Sequence, residues 1–486
     1  MVASVPELEK VIAFPVSVPL YAHQRHAAAL ACHLPYAALL CEQGTGKTLA
    51  TIAAIGHLWQ CDQIRSALIV CPKSVLGVWQ AELCRATFPY YLATLDGSLL
   101  QRLRDLECLP VANDRLRIAI INYEGLIMHR GTDPAMERAL SQFVRGGIMI
   151  LDESQRIKAP GGRQSWAAAR IGRHAARRLI LTGTPTPHSP LDIYAQYRFL
   201  NPRVFGTSFV AFRNRYAVMG GFEGHEVVKW QNLNELTAKM HSIAYRVTRA
   251  ECLDLPPETE EDVPFMLESR ARKIYDALRD AAIARLNAQE QVTASNVLVE
   301  LLRLQQVCGG FVRTDEGTLV QTGREKLDTC LDLLDDLLTD RKRKVVVFCR
   351  FLAEISALVN ALRERGIAAA ELTGQTEHRA SLVEAFQREE TTRVLVVQVQ
   401  TGGLGITLHR ADTAIWYSSD WSYGNYEQGK ARLQRIGQTA QRVLHLRLIA
   451  RNTIESKLYH NLATKRDLAE VVSEGWRDLF DEKRGN

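Results

Sequence analysis

The sequence has no run of eighteen uncharged apolar residues, which excludes a membrane-spanning helix of ordinary length. Its first residues lack a basic stretch leading into an apolar core, so no secretory signal is expected. Its ten cysteines form no Cys-x-x-Cys pair. Several, such as Cys71 and Cys349, sit inside apolar runs. That is the pattern of reduced core thiols in a cytoplasmic protein, not of a zinc site. The chain also lacks a strong charge bias: 60 Lys and Arg stand against 54 Asp and Glu, a net +6. This balance permits a nucleic-acid partner without requiring one. At 486 residues the chain is too long for one ordinary core, so two or three domains are expected.

What is present centres on Cys41-Glu42-Gln43-Gly44-Thr45-Gly46-Lys47-Thr48. An apolar run at 37–40 precedes it and a helical pattern at 49–58 follows. Strand, glycine loop and helix in that order suit a phosphate cradle, because loop N–H groups and the helix N-terminus converge on one point. Gln43, Gly44, Thr45 and Gly46 would form the cradle. Lys47 would reach the β- and γ-phosphates, and the Thr48 hydroxyl would hold Mg²⁺. The full pattern has glycine where this chain has Cys41, so an ordinary tight turn is the plain alternative. Upstream, Gln24 opens a helix that ends near Pro35. Its amide offers one donor and one acceptor, matching the N6 and N7 edge of adenine, or else it is a surface glutamine.

Short apolar strands then alternate with amphipathic helices, at 67–71, 118–121, 148–151 and 179–181. Continuous apolar strands of this kind argue for a parallel sheet covered on both faces. Ligands of such sheets sit at the carboxyl ends of the strands. The residues found there are Lys73, Asn122, Asp152-Glu153 and Thr182. An acidic pair at a strand end is expensive unless something binds it. Asp152 would contact Mg²⁺, and Glu153 would polarise an attacking water. The alternative is a charge pair favoured at a helix N-terminus.

From 190 to about 255 the alternation stops and an aromatic, helical pattern takes over, read as core. The acidic, proline-containing stretch 253–262 reads as a crossing or linker, because its proline pair blocks helix. Long helices are expected at 269–288 and 295–308. A second set of strands follows at 344–348, 368–372, 394–397, 414–417 and 443–446. Arg432 and Arg435 are three apart, which on a helix places both on one face. Two fixed guanidinium groups suit a triphosphate, and a solvated basic face is the alternative.

In this order the motifs resemble the Swi/Snf-type branch of the superfamily-two helicase-like ATPases. The pieces that carry the resemblance are Leu68-Ile69-Val70-Cys71-Pro72-Lys73-Ser74 with Trp79, Leu181-Thr182-Gly183-Thr184-Pro185, Thr401-Gly402-Gly403-Leu404-Gly405-Ile406, the run from Trp421 to Gln438, and Thr453-Ile454-Glu455. The resemblance implies an α/β fold of two RecA-like lobes, each a mostly parallel sheet covered by helices, with helical insertions between them. The expected boundaries are a lead-in at 1–18, lobe one at 19–190, a helical insertion at 191–255, a linker and second insertion at 256–322, and lobe two at 323–486. It implies ATP and Mg²⁺ as cofactors. Lys47, Asp152, Glu153, Arg432 and Arg435 become catalytic, and Gly405 joins the nucleotide contacts. Lys73, Thr182, Thr373, Thr401 and Gly402 fall where relatives face the nucleic-acid backbone.

Gln155 and Gln434 stand where relatives often have His, and Tyr423 where they usually have Pro, so coupling between lobes is the property these departures touch. The expected activity is ATP-driven translocation along double-stranded DNA by a monomer in the cytoplasm of a bacterium or a phage-infected cell. A nuclease or recombination protein is a compatible partner. The alternatives are a strand-separating DNA or RNA helicase, and a nucleotide-gated DNA-binding scaffold.

Overall fold

A computed structural model describes residues 12–111, 114–129, 131–187, 189–220, 226–252, 255–288, 293–314, 317–402, 406–435, 437–464, 471–472 and 475–480. The chain divides into two units, Met1–Asp254 and Leu255–Asn486.

In the first unit the helix Ala22–His33 precedes strand β1 (Tyr36–Cys41), which runs through the glycine loop into the helix Lys47–Gln60. Strands β2 (Ser66–Cys71), β3 (Tyr90–Leu95), β4 (Leu116–Asn122), β5 (Ile148–Asp152) and β6 (Arg177–Leu181) follow. After the helix Ile193–Leu200 come a hairpin, β7 (Ala217–Gly220) with β8 (Glu226–Trp230), and then β9 (Ala244–Val247). The main sheet has seven strands in the order β3-β4-β2-β5-β6-β1-β9, all paired parallel. Alternate residues of its central strands enter two separate cores. Ala37, Leu39 and Cys41 pack on one face of β1, Ala38 and Leu40 on the other. Burial on both faces is why these strands read as unbroken apolar runs.

In the second unit β10 (Glu258–Phe265) leads to the helices Ser269–Asn287 and Ala294–Cys308 and a small hairpin, β11 (Phe311–Arg313) with β12 (Leu319–Gln321). Then come β13 (Val345–Cys349), β14 (Ala369–Leu372), β15 (Val394–Gln398), β16 (Thr413–Trp416) and β17 (Val443–Ala450). Six strands pair parallel in the order β10-β17-β16-β13-β15-β14. Both units are thus parallel α/β sheets, as the alternation implies.

The boundaries differ from expectation in three places. The stretch expected to be a purely helical insertion contains the β7–β8 hairpin and contributes β9 to the edge of the first sheet. The second half of the stretch expected to be a linker, 258–262, belongs to β10, which pairs with β17 over eight residues. Its Pro264 is tolerated because β10 is an edge strand. Its acidic residues are matched by basic partners. Lys430 Nζ lies 2.8 Å from Glu260, and Arg447 reaches Glu260 at 2.9 Å. The helices expected as a second insertion share one core with the second sheet, Tyr275, Leu301 and Leu304 packing with Val346 and Phe348. Of the lead-in, Phe14 and Val16 pack against the first unit, and residues 1–11 lie outside the described residues.

Candidate nucleotide and nucleic-acid site

The glycine loop is built by its backbone. Gly44 and Gly46 both take φ 83°, in the left-handed region that favours glycine. At Gly46 a Cβ would also meet Gln24 Nε2 at 2.0 Å. The loop is held from behind by the helix Ala22–His33. Gln24 Nε2 donates to the Thr45 carbonyl at 3.1 Å, and the His23 ring contacts the same oxygen through Nε2 at 2.8 Å. Gln24 Oε1 accepts from the Tyr21 N–H at 3.0 Å. Gln24 is buried, and in this structure its amide braces the loop. His23 shares the bracing and was not singled out from the sequence.

Lys47 Nζ donates to the carbonyls of Cys41 at 2.7 Å and Glu42 at 3.1 Å. Thr48 follows in the first turn of the helix, half-buried. Asp152 ends β5, beside the loop-bearing part of the sheet. Its Oδ2 accepts from Trp79 Nε1 at 2.8 Å and its Oδ1 from the Glu153 N–H at 3.0 Å. Burial, then the neighbouring Glu153 charge, push the Asp152 carboxyl up to about 6, although Trp79 and the Lys47 ammonium pull the other way. Asp152 is therefore within electrostatic reach of both Lys47 and Glu153. Glu153 itself takes φ 53°, an uncommon conformation for a non-glycine residue and one of modest strain.

A hydrogen-bonded relay leads away from Glu153. Its Oε2 accepts from Gln155 Nε2 at 2.7 Å, and Gln155 Oε1 accepts from Thr182 Oγ1 at 2.7 Å. Thr182 Oγ1 in turn accepts from the Thr184 N–H at 3.0 Å. Glutamine supplies one donor and one acceptor on a single rigid amide, so it bridges both groups at once. Thr182 is fully buried. The Thr182 loop also lies against the glycine loop, since a Cβ on Gly183 would sit 3.1 Å from Gln43 Cγ. Ser154 and Gln196 extend the brace. Ser154 Oγ donates to Gln196 Oε1 at 2.7 Å, and Gln196 Nε2 to the Pro185 carbonyl at 2.6 Å. Nothing in sequence spacing marks Gln196.

Lys73 is the exposed cation of this edge, with 68% of its side chain accessible. It pairs with Asp96 at 3.4 Å, and Asp96 pairs with the buried Arg102, also at 3.4 Å. Arg102 NH1 donates to Asn122 Oδ1 at 2.7 Å. The ends of β2, β3 and β4 are thus tied by charge, and of these residues Asp96 and Arg102 lie outside the motifs.

In the second unit, Thr373 and Thr401 are buried. Gln398 Oε1 accepts from Thr401 Oγ1 at 3.4 Å and from the N–H of Gly374, the residue after Thr373, at 3.1 Å. Gly402 closes the short helix Val399–Gly402, and Gly405 lies outside the described residues. The helix Tyr423–Leu433 ends before Arg435. Arg432 sits buried in its last turn, whereas Arg435 follows the cap and donates to the Ile406 carbonyl at 3.3 Å. The two arginines therefore do not share a helix face, because Gln434 leaves helical geometry at ψ 83°. Gln434 is held there by the Pro256 carbonyl at 2.8 Å.

A model of the SNF2-related domain matches residues 23–310, and one of the helicase conserved C-terminal domain matches residues 325–437. The chain belongs to the SNF2-related family. This SNF2-related chain is 26% identical over 452 residues to the yeast (Saccharomyces cerevisiae) ISWI chromatin-remodeling complex ATPase ISW2, covering 89% of this chain and 38% of that protein. It is 25% identical over 431 residues to the ATP-dependent helicase MG018 of Mycoplasma genitalium, covering 88% and 39%. The chain thus spans about two fifths of the length of these relatives. A solved Sulfolobus solfataricus SWI2/SNF2 ATPase core in complex with dsDNA is 22% identical, with a TM-score of 0.45 and coverage of 97% of this chain and 96% of that one.

The buried Asp152 carries a pH prediction. Its folded-state pKa lies above the ordinary 3.8, so the folded protein is penalised wherever Asp152 is ionised, and the penalty is relieved as pH falls through about 6. Asp152→Asn should therefore melt a few degrees higher than wild type at pH 8. That gap should begin to narrow below about pH 6 and close only near the ordinary 3.8, where the unfolded carboxyl is protonated as well. Thermal melts of both proteins across this range check it, and a gap independent of pH would contradict the buried charge.

Proposed function

We propose that this SNF2-related chain is a DNA-stimulated ATPase that translocates on double-stranded DNA. The observation that carries the reading is the gathering of Lys47, Asp152 and Glu153 at the carboxyl ends of one parallel sheet, with Glu153 tied to Thr182 through Gln155. The donor set fits a magnesium nucleotide. Lys47 holds a cation against loop carbonyls, where phosphate oxygens would draw it away, and a buried carboxylate faces it. Among the described residues no cluster of three or more His, Cys, Asp or Glu could hold a metal. Thr48 and Asp152 would therefore hold Mg²⁺ largely through water and phosphate, as that ion prefers. Bound Mg²⁺ would neutralise charge on the phosphoryl oxygens. Glu153 would orient the attacking water and take its proton. Arg432 and Arg435 remain candidates for neutralising charge from the second unit, from two separate backbone positions. No helix among the described residues is long and apolar enough to cross a membrane.

Steady-state ATP hydrolysis with no nucleic acid, duplex DNA, single-stranded DNA or duplex RNA tests the proposal. Duplex DNA should stimulate most. Lys73→Ala should weaken duplex binding equally for all sequences and lower the salt slope of binding by about one. An unchanged slope would remove Lys73 from the interface. The strand-separating alternative gains one structural element, the β7–β8 hairpin with its exposed Val218, Val227 and Val228. Unwinding of a forked duplex would decide for it.

A further inference from the structure

We propose that the amino end of the first sheet carries a docking surface for an acidic segment of a partner protein, separate from the nucleotide site at the carboxyl end. A cavity of about 570 Å³ opens there, lined in part by Glu137, Arg138, Ser141, Gln142, Arg145 and His174. Arg145 and Ala175 form an isolated bridge just ahead of β5 and β6. The cavity therefore lies where those strands begin, whereas Asp152 and Thr182 stand where they end. The side chains of Ser141, Gln142, Arg145 and His174 have no hydrogen-bond or ionic partner among the described residues. Four polar groups thus line one recess with their bonding capacity unused by the fold.

Charge selects the occupant. Between Glu153 and Asp192 the chain has seven Lys and Arg and no Asp or Glu. Arg177 and Arg178 are spent inside the fold, on the carbonyls of Cys32 and Phe199. Arg170 reaches the cavity wall at Glu137, and Arg173 stands exposed beside His174. One helical turn before Arg170, on the same face, Trp166 is 41% exposed. The Arg198 guanidinium lies 3.8 Å from its ring centroid and donates to Ser165 Oγ at 2.6 Å, which stiffens the exposed ring. Tryptophan and arginine held in this way are the anchors that protein interfaces favour. Duplex DNA fits the surface less well. Asp133 already answers Arg138 at 2.7 Å and Glu137 answers Arg170 at 2.5 Å, so a row of phosphates would face two carboxylates. What stays open is a recess with the Arg145 guanidinium and neutral donors, which suits a carboxylate, beside a ring that suits an apolar neighbour. An acidic chain segment with one apolar residue supplies both.

The probe is a fluorescein-labelled peptide with one leucine between two runs of glutamate. Its control has glutamine in place of every glutamate. Anisotropy is read on the full chain saturated with a short duplex DNA, which covers the Lys73 edge against the same peptide. The glutamate peptide should bind saturably and the glutamine peptide should not. Arg145→Glu should weaken binding by roughly tenfold or more, the loss expected with a hydrogen bond to a charged group. Trp166→Ala should weaken it several-fold. Lys73→Ala should leave it unchanged. Both surface variants should keep wild-type ATP hydrolysis, which shows that they fold. Absence of saturable binding by the wild type, or equal binding by Arg145→Glu protein, overturns the proposal. So does uptake of a second duplex that Arg145→Glu abolishes, which would give the surface to nucleic acid instead. The surface shares no residue with the ATPase machinery, so failure of the peptide arms overturns the docking surface alone.

Discussion

Glu153→Gln protein is expected to lose ATP hydrolysis by about 10²–10⁴-fold, the range a positioned general base supplies. Binding of nucleotide and of duplex DNA should survive. The substitution is close to isosteric, so the surroundings constrain it well. Glu153 Oε2 accepts from Gln155 Nε2 at 2.7 Å, and an amide oxygen can accept the same bond. The left-handed backbone at φ 53° is set by the turn that begins with Ser154 and is unaffected by the change. What the amide cannot do is take a proton from water. Lys47→Ala should lose hydrolysis as well, but with weakened nucleotide binding, because Lys47, which rests on the Cys41 and Glu42 carbonyls, is the cation proposed to meet phosphate. Single-turnover hydrolysis and DNA binding measured on the same preparations separate the two. Wild-type turnover by Glu153→Gln protein would end the assignment of Glu153.

The parts of this site that were legible in the sequence are those fixed by backbone geometry. A glycine loop between an apolar strand and a helix, and an acidic pair at the end of another such strand, are local patterns. The parallel sheet then brings them to one edge without further information. The braces were not legible because they join positions far apart in the chain. Gln196 and Ser154 are 42 residues apart, and Gln398 meets Gly374 across 24. No spacing rule marks such pairs. Arg435 shows the opposite failure. It stands in a recognisable motif, yet it falls past a helix end. Three of the four edge strands of the two main sheets were missed for a related reason. β3, β9 and β10 lack the unbroken apolar run because only part of each is covered. In β10 the alternating acids that suggested a linker are the residues that pair with Lys430 and Arg447.

The second large expected effect concerns the core of the second unit. Lys326→Met should destabilise that unit by about 3–5 kcal/mol, the usual result of removing one partner from a buried ion pair. Lys326 is 1% exposed, and its ammonium is bonded to Glu455. The other Glu455 oxygen accepts from the Ala450 N–H at 2.9 Å. Burial drags Lys326 down, but Glu455 and Glu354 outweigh it and hold it charged. Glu354 is buried as well, and its carboxyl is pushed up to about 7 by burial, with Lys326 pulling it down. Methionine preserves the packing against Phe265 and Tyr417, so volume is not the variable. The Glu354 carboxyl would then remain buried without the cation that pulls it down, and would resist ionising further. The sign follows: a carboxyl whose folded pKa is raised destabilises the fold above that pKa and is relieved as pH falls through it. The loss in Lys326→Met should therefore be largest near pH 8 and shrink by pH 6. Chemical denaturation at both values checks this, and pairing Lys326→Met with Glu455→Leu should recover much of the loss by removing a stranded charge. A pH-independent loss below about 1 kcal/mol would show that Thr453-Ile454-Glu455 is not tied into the fold through this pair. The expected result makes that C-terminal signature structural, a bond from the helix Ile454–Ala463 to the helix Glu325–Leu337, rather than part of the chemistry.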